Sequence, residues 1–351
     1  MQIDDFNPAW WCPGPHLQTV WRRLYGEIPT VTLRRERWET PDDDFLDLDF
    51  FDPEPTAREP VPTVLCLHGL EGSSRAKYIL GMLREANRLG WRGTALNFRS
   101  CSGEINRQRR FYHSGETSDI DWVVRRLIER FPGSPFFLIG FSLGGNVLLK
   151  WLGEQGEKAP DPVRGAVAIS VPFDLAEAAR NIDRGFSRIY GKVFLRTLKE
   201  KALIKERQYP GLVDPARLRR IASFAAFDDQ VTAPVHGFRD GVDYWTSTSS
   251  KSFSMRSAGR SSSSTRRTIP SCRGSAFPSK SSSNRNGSRP TFLSPAAIPV
   301  SSEVPRPGRS VIGLKRARLL FSRRCGIARN IGDQSRMRER SGVVRTGGLT
   351  S

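Results

Sequence analysis

The chain has 351 residues, with 55 Lys+Arg against 36 Asp+Glu, a formal net charge of +19. The excess sits at one end. From Ser247 onward there are 21 basic side chains, 18 of them Arg, against Glu303, Asp333 and Glu339, so the first 246 residues are nearly neutral. The overall charge therefore says nothing about partners of that first part, for which no specific nucleic acid is expected.

Residues 1–246 suffice for one α/β domain with a sizeable core. Residues 247–351 form a Ser-, Arg-, Pro- and Gly-rich tail without sustained apolar periodicity, which predicts disorder. Five scattered cysteines (Cys12, Cys66, Cys101, Cys272, Cys325) contain no CxxC pair, so neither a disulfide framework nor a metal site is expected, no cofactor is called for, and a cytoplasmic location fits. Met1 to Asp5 lacks the basic and apolar regions of a secretory signal. No apolar stretch reaches the roughly 20 residues of a membrane span.

In chain order, Thr30–Trp38 and Phe45–Phe51 alternate apolar and polar residues around Pro41–Asp44 and predict an antiparallel hairpin. Val61–Leu67 is a buried strand, Lys77–Leu89 a helix stopped by Gly90, and Trp91–Phe98 the next strand. Thr117 or Ser118 is placed to cap a helix running to Arg130. A strand at Pro135–Ile139, a helix from Asn146 and a strand at Ala166–Val171 follow. This alternation predicts a mostly parallel sheet wrapped by helices. Residues 172–246, with helical patterns such as Phe186–Lys199, are read as a helical cap.

Gly140-Phe141-Ser142-Leu143-Gly144 joins the predicted strand to its helix. Its glycines permit the sharp turn that presents a nucleophilic serine, here Ser142, with Gly140 and Gly144 as the supporting glycines. About 70 residues earlier, His68-Gly69-Leu70-Glu71-Gly72 follows a central strand. An oxyanion needs two fixed N–H donors, and those expected here belong to Leu70 and Leu143, with His68 and Gly69 shaping the turn.

Further segments carry a family resemblance: Pro15-His16-Leu17-Gln18-Thr19, Asn97–Gly103, Tyr112–Thr117, Phe186–Tyr190 and Phe227-Asp228-Asp229. With the two turns, they make residues 6–245 resemble the YheT-like branch of the α/β-hydrolases. The resemblance implies an α/β-hydrolase fold and a serine hydrolase of acyl esters, small-molecule or lipid-like, that uses Ser142. It also implies a triad aspartate in an Asp-Asp-Pro-Phe segment and a triad histidine in a Gly-Gly-His segment, both beyond Trp245. Neither is present, and no histidine follows His236. The expected domain therefore lacks its C-terminal strands and helix, and its triad Asp and His.

His16 and His113 precede the nucleophile and read as structural. His236 follows it but falls in the cap. Asp228-Asp229 reads as a solvated or capping pair rather than a metal site, and Glu71 and Glu116 as loop acids.

Read one nucleotide earlier, Arg267–Cys272 permits Asp-Asp-Pro-Phe-Met, and Pro295–Ser301 permits Gly-Gly-His-x-Gly-Phe. Both absent segments then return in order, so residues 247–351 are read as an out-of-frame product with a slip between Trp245 and Phe253. The alternatives are an acyltransferase on the same site, or a non-catalytic binding protein whose basic tail holds nucleic acid.

Overall fold

The computed structural model describes Trp11, residues 28–53 and residues 60–253. The expected disorder of the tail lies almost wholly outside these residues, as does His16, whereas the interval expected to hold the frame slip, Trp245 to Phe253, lies within them.

Six strands form one sheet in the order β1-β2-β4-β3-β5-β6. They are β1 Arg34–Glu39, β2 Phe45–Phe51, β3 Thr63–Leu67, β4 Arg92–Asn97, β5 Phe136–Phe141 and β6 Val163–Ile169. β1 and β2 are the expected hairpin, and β2 also runs antiparallel to β4. β3 is parallel to both β4 and β5, and β5 is parallel to β6. Central β3, β4 and β5 are buried along their whole length, which is why their apolar runs do not alternate.

The crossover helices are α1 Lys77–Arg88, α2 Ser118–Arg130 and α3 Leu143–Gln155. The first two bury one apolar stripe each; in α2 it is Ile120, Val123, Val124 and Leu127. Helix α3 is buried over most of its first three turns, around Val147, Leu148 and Trp151. These side chains share one core with Leu48, Phe50, Leu65, Leu96 and Leu138 from the sheet. The side-chain cap expected of Thr117 or Ser118 is not made; Glu116 caps instead, its carboxylate accepting the Ser118 N–H at 2.8 Å.

After β6 come α4 Leu175–Ile182, α5 Ser187–Gln208, α6 Pro215–Arg220 and α7 Phe224–Phe227. A π-helical segment, Asp228–Thr232, and a short turn lead to α8 Gly241–Thr248. A second core belongs to this helical region: Leu195, Leu198, Leu218, Phe224 and Phe227, joined by Phe111. Leu70 packs against both cores. Residues 248–253 remain ordered against the domain, past the expected boundary at 246. The Ser250 N–H meets Asn146 Oδ1 at 2.9 Å, and the Lys251 N–H meets the Phe173 carbonyl at 3.0 Å.

Candidate functional site

Ser142 stands between the end of β5 and the first turn of α3 with φ 51° and ψ −117°. That is a left-handed backbone in which an L side chain is strained. Two hydrogen bonds hold it there: its N–H to the Ile169 carbonyl at 2.8 Å, and its carbonyl to the Asn146 N–H at 3.0 Å.

The flanking glycines are required by close approach. A β-carbon on Gly140 would stand 2.5 Å from the Gly144 carbonyl, and one on Gly144 would stand 2.5 Å from the His68 carbonyl. Helix α3 therefore begins directly against the turn after β3. A β-carbon on Gly69 would lie 3.3 Å from that of Ser142, so the two turns meet at the serine.

The turn after β3 is pinned at nearly every polar group. Gly69 N–H donates to the Tyr78 hydroxyl at 3.0 Å, Glu71 N–H to the Tyr112 hydroxyl at 2.8 Å, and Gly72 N–H to the Gly69 carbonyl at 3.0 Å. Glu71 itself has a left-handed φ of 52°. Between these engaged amides, the Leu70 N–H has no acceptor among the described residues, and neither has that of Leu143. An unpaired amide is ordinary at the first position of a helix; between the paired amides of Gly69, Glu71 and Gly72 it marks a donor left available.

His68 is fully buried, and both of its ring nitrogens are used. Nε2 accepts the Phe98 N–H at 3.2 Å, which leaves Nδ1 to donate to the Gly69 carbonyl at 2.7 Å. Burial pulls its pKa down to about 4, so it is a neutral clasp between β3 and β4.

His113 and His236 lie together, ring centroids 4.4 Å apart, beside Phe111, Phe238 and Tyr244. Burial lowers them to about 4 and about 3. His113 Nδ1 accepts the Gly115 N–H at 3.1 Å, whereas His236 Nε2 is buried without a partner among the described residues. Among the described residues, no imidazole hydrogen-bonds Ser142, whose hydroxyl has no partner at all.

Asp228 is not the solvated group expected from sequence. It is buried, and desolvation raises it to about 6 although Trp245 Nε1 (2.8 Å) and Thr232 Oγ1 (2.9 Å) donate to it. Asp229 does cap, accepting the Gly241 N–H at 3.0 Å. Neither loop acid is idle. Glu71 takes Lys201 Nζ at 2.8 Å and the Tyr112 hydroxyl at 2.7 Å, and Glu116 holds Arg110 at 2.8 Å besides capping α2. Among the described residues, no cluster of three or more His, Cys, Asp or Glu could hold a metal.

Three contributors escaped the sequence reading. Tyr78, nine residues from Gly69, and Tyr112, 41 residues from Glu71, fix the turn through their hydroxyls. Asn146 is fully buried in α3, and its amide reaches Ser114 O at 2.8 Å, Thr248 O at 2.9 Å and Ser250 N. A lone Asn four residues after Ser142, amid Leu, Val and Trp, was the available signal.

The family model described as "alpha/beta hydrolase fold" matches residues 62–271. YheT of Escherichia coli is 39% identical over 243 residues, covering 69% of this chain and 71% of that protein. The protein named Phospholipase ABHD3 of Mus musculus is 31% identical over 251 residues, covering 70% of this chain and 61% of that protein. The protein named Monoacylglycerol lipase of Saccharomyces cerevisiae is 29% identical over 226 residues, 62% of this chain and 48% of that protein. The sheet order, the turn at Ser142 and these matches agree: the chain belongs to the α/β-hydrolase fold family, in the branch that contains YheT.

Proposed function

We propose that this chain descends from a serine hydrolase of carboxylic esters acting through an acyl-enzyme. The observation that carries the proposal is Ser142, held at φ 51° against a turn whose Leu70 amide is left without a partner. Attack of Ser142 Oγ on an ester carbonyl would place negative charge on the carbonyl oxygen. The Leu70 and Leu143 N–H groups are the donors assigned to that oxygen, and His68, Gly69, Gly140 and Gly144 keep them in place. Collapse expels the alcohol, and water then releases the acid from the acylated serine.

The relatives' names, a phospholipase and a monoacylglycerol lipase, support a lipid-like ester as substrate. The alignment spans only 61% and 48% of those two proteins, so that assignment is part of the proposal.

The proton acceptor is the missing part. His68 is engaged at both nitrogens, and no histidine follows His236. We therefore expect this sequence to turn over esters poorly, with the triad Asp and His encoded in the neighbouring reading frame beyond Trp245. Losing the serine or histidine of a comparable triad lowers kcat about a million-fold.

Sequencing the coding DNA across codons 240–260 tests the frame, and p-nitrophenyl ester hydrolysis tests the chemistry. Restoring the frame is expected to give hydrolysis that Ser142→Ala abolishes. Ordinary turnover by the present sequence, lost on Ser142→Ala, would refute the missing base and direct attention to His236.

A further inference from the structure

Helix α5 buries Leu195, Leu198 and Ala202 in the helical core and turns a different stripe outward. Ile189 and Val193 are 55% and 51% exposed, and Phe186, just before the helix, is 47% exposed. The spacing of three and four residues puts them on one face. Exposed Arg184, Arg188, Lys192 and Arg196 flank them, and no acidic residue occurs from Arg184 to Lys199. Beside this stripe runs a shallow groove of about 530 Å³, lined by Arg188, Lys192, Arg196 and Lys199 with Leu195 and Ile221 in its walls. Its one acidic group, Glu200, is paired with Arg196 at 2.9 Å.

We infer that this face of α5 docks on an anionic lipid bilayer. Apolar side chains flanked by cations on an exposed helix face suit an interface in which acyl chains lie just beneath anionic headgroups. A soluble acidic partner would match the cations but give Ile189 and Val193 nothing to enter, and an apolar partner would leave four cations to be desolvated. The charge places the headgroups along the groove and the acyl region under Ile189 and Val193. This surface is independent of Ser142 and of the ester-hydrolase assignment.

The basic tail would adsorb to anionic vesicles by itself, so binding alone does not test the inference. The full chain, with Cys12, Cys272 and Cys325 changed to Ser and buried Cys66 and Cys101 kept, is labelled with an environment-sensitive dye at Val193→Cys. A second preparation is labelled at Val242→Cys on α8, which is 61% exposed. Vesicles of phosphatidylcholine containing phosphatidylglycerol are expected to brighten and blue-shift the dye at 193 roughly threefold more than at 242. Pure phosphatidylcholine and free glycerol phosphate should do neither. Adding Arg188→Glu and Lys192→Glu should abolish the response at 193 while the tail still holds the protein on the vesicles. Equal responses at both positions, or none at 193, would overturn the inference. So would a response without vesicles that grows with protein concentration, because a second copy would then be covering the helix.

Discussion

Ser142 stores strain that a glycine would release. Its φ of 51° disfavours any L side chain, and such conformations cost on the order of 1–3 kcal/mol, offset by less than 1 kcal/mol of extra glycine entropy on unfolding. Ser142→Gly should therefore stabilise the fold by about 1 kcal/mol while Ser142→Ala does not, as chemical melts would show. Gly144→Ala has the opposite expectation. Its β-carbon would meet two backbone carbonyls, of His68 and Leu67, which cannot swing aside. We expect a loss of about 3 kcal/mol or failure to accumulate as soluble protein, measured by expression and urea melts.

The paired histidines predict an acid-labile fold. His113 and His236 fall from an ordinary 6.5 to about 4 and about 3 because burial penalises their charged forms. Between those values and 6.5 the unfolded chain binds protons that the folded chain does not, so their contribution is full above pH 6.5 and declines as pH falls. At pH 5 each costs up to about 2 kcal/mol relative to pH 7. His236→Phe keeps the ring packing and removes a buried nitrogen without a partner, so it should flatten the loss of stability between pH 7 and 5. An unchanged slope would contradict this.

At this scale the chain declared Ser142 and its two turns because glycine spacing is local. It concealed Tyr112 and Lys201, which meet Glu71 from 41 and 130 residues away, and it concealed the burial of Asp228.

Among the elements, α5 is fastened to the rest of the domain by two lysines one turn apart. Lys201 reaches Glu71 beside Leu70, while Lys205, fully buried, donates to the carbonyls of Asn106 and Gln108. Burial lowers Lys205 to about 8 despite the nearby Asp44. The segment Lys205 grips is fixed from the other side. Asp44 accepts the Arg107 and Gln108 N–H groups at 2.7 and 3.1 Å, and Arg99 bridges Asp44 to Asp119 at 2.6 and 2.8 Å.

Arg99→Met would leave buried Asp44 without its paired guanidinium and buried Asp119 with only Arg110, at 3.2 Å. An expected loss of about 3–5 kcal/mol makes it one of the most damaging single changes available. A urea melt within about 1 kcal/mol of the parent would contradict that. Helices and strands were readable within a few residues because their apolar periods are strong. The cap on α2 was not, because Glu116 and Thr117 offer equally plausible side chains and only the backbone path selects Glu116.

Across the whole molecule, the sheet is unevenly covered. β5 is buried throughout, whereas β6 leaves Ala166, Val167, Ala168 and Ile169 half-buried, and no described strand pairs with its outer side. A half-covered apolar edge is an aggregation hazard that net charge opposes only partly. If the missing strands lie in the neighbouring frame, restoring it should slow hydrogen exchange at the β6 amides and improve solubility together. Faster exchange there, or none of either change, would count against a shared cause.

The contact between Gly144 and the His68 carbonyl has a consequence for how such a site can be transplanted or varied. The serine turn and the turn after β3 are two halves of one casting, since the backbone of each is the mould surface of the other. Grafting Gly140–Gly144 alone onto a foreign sheet should yield an inert serine. Moving it together with His68–Gly72, and with the tyrosines that pin the second turn, would carry the geometry across intact.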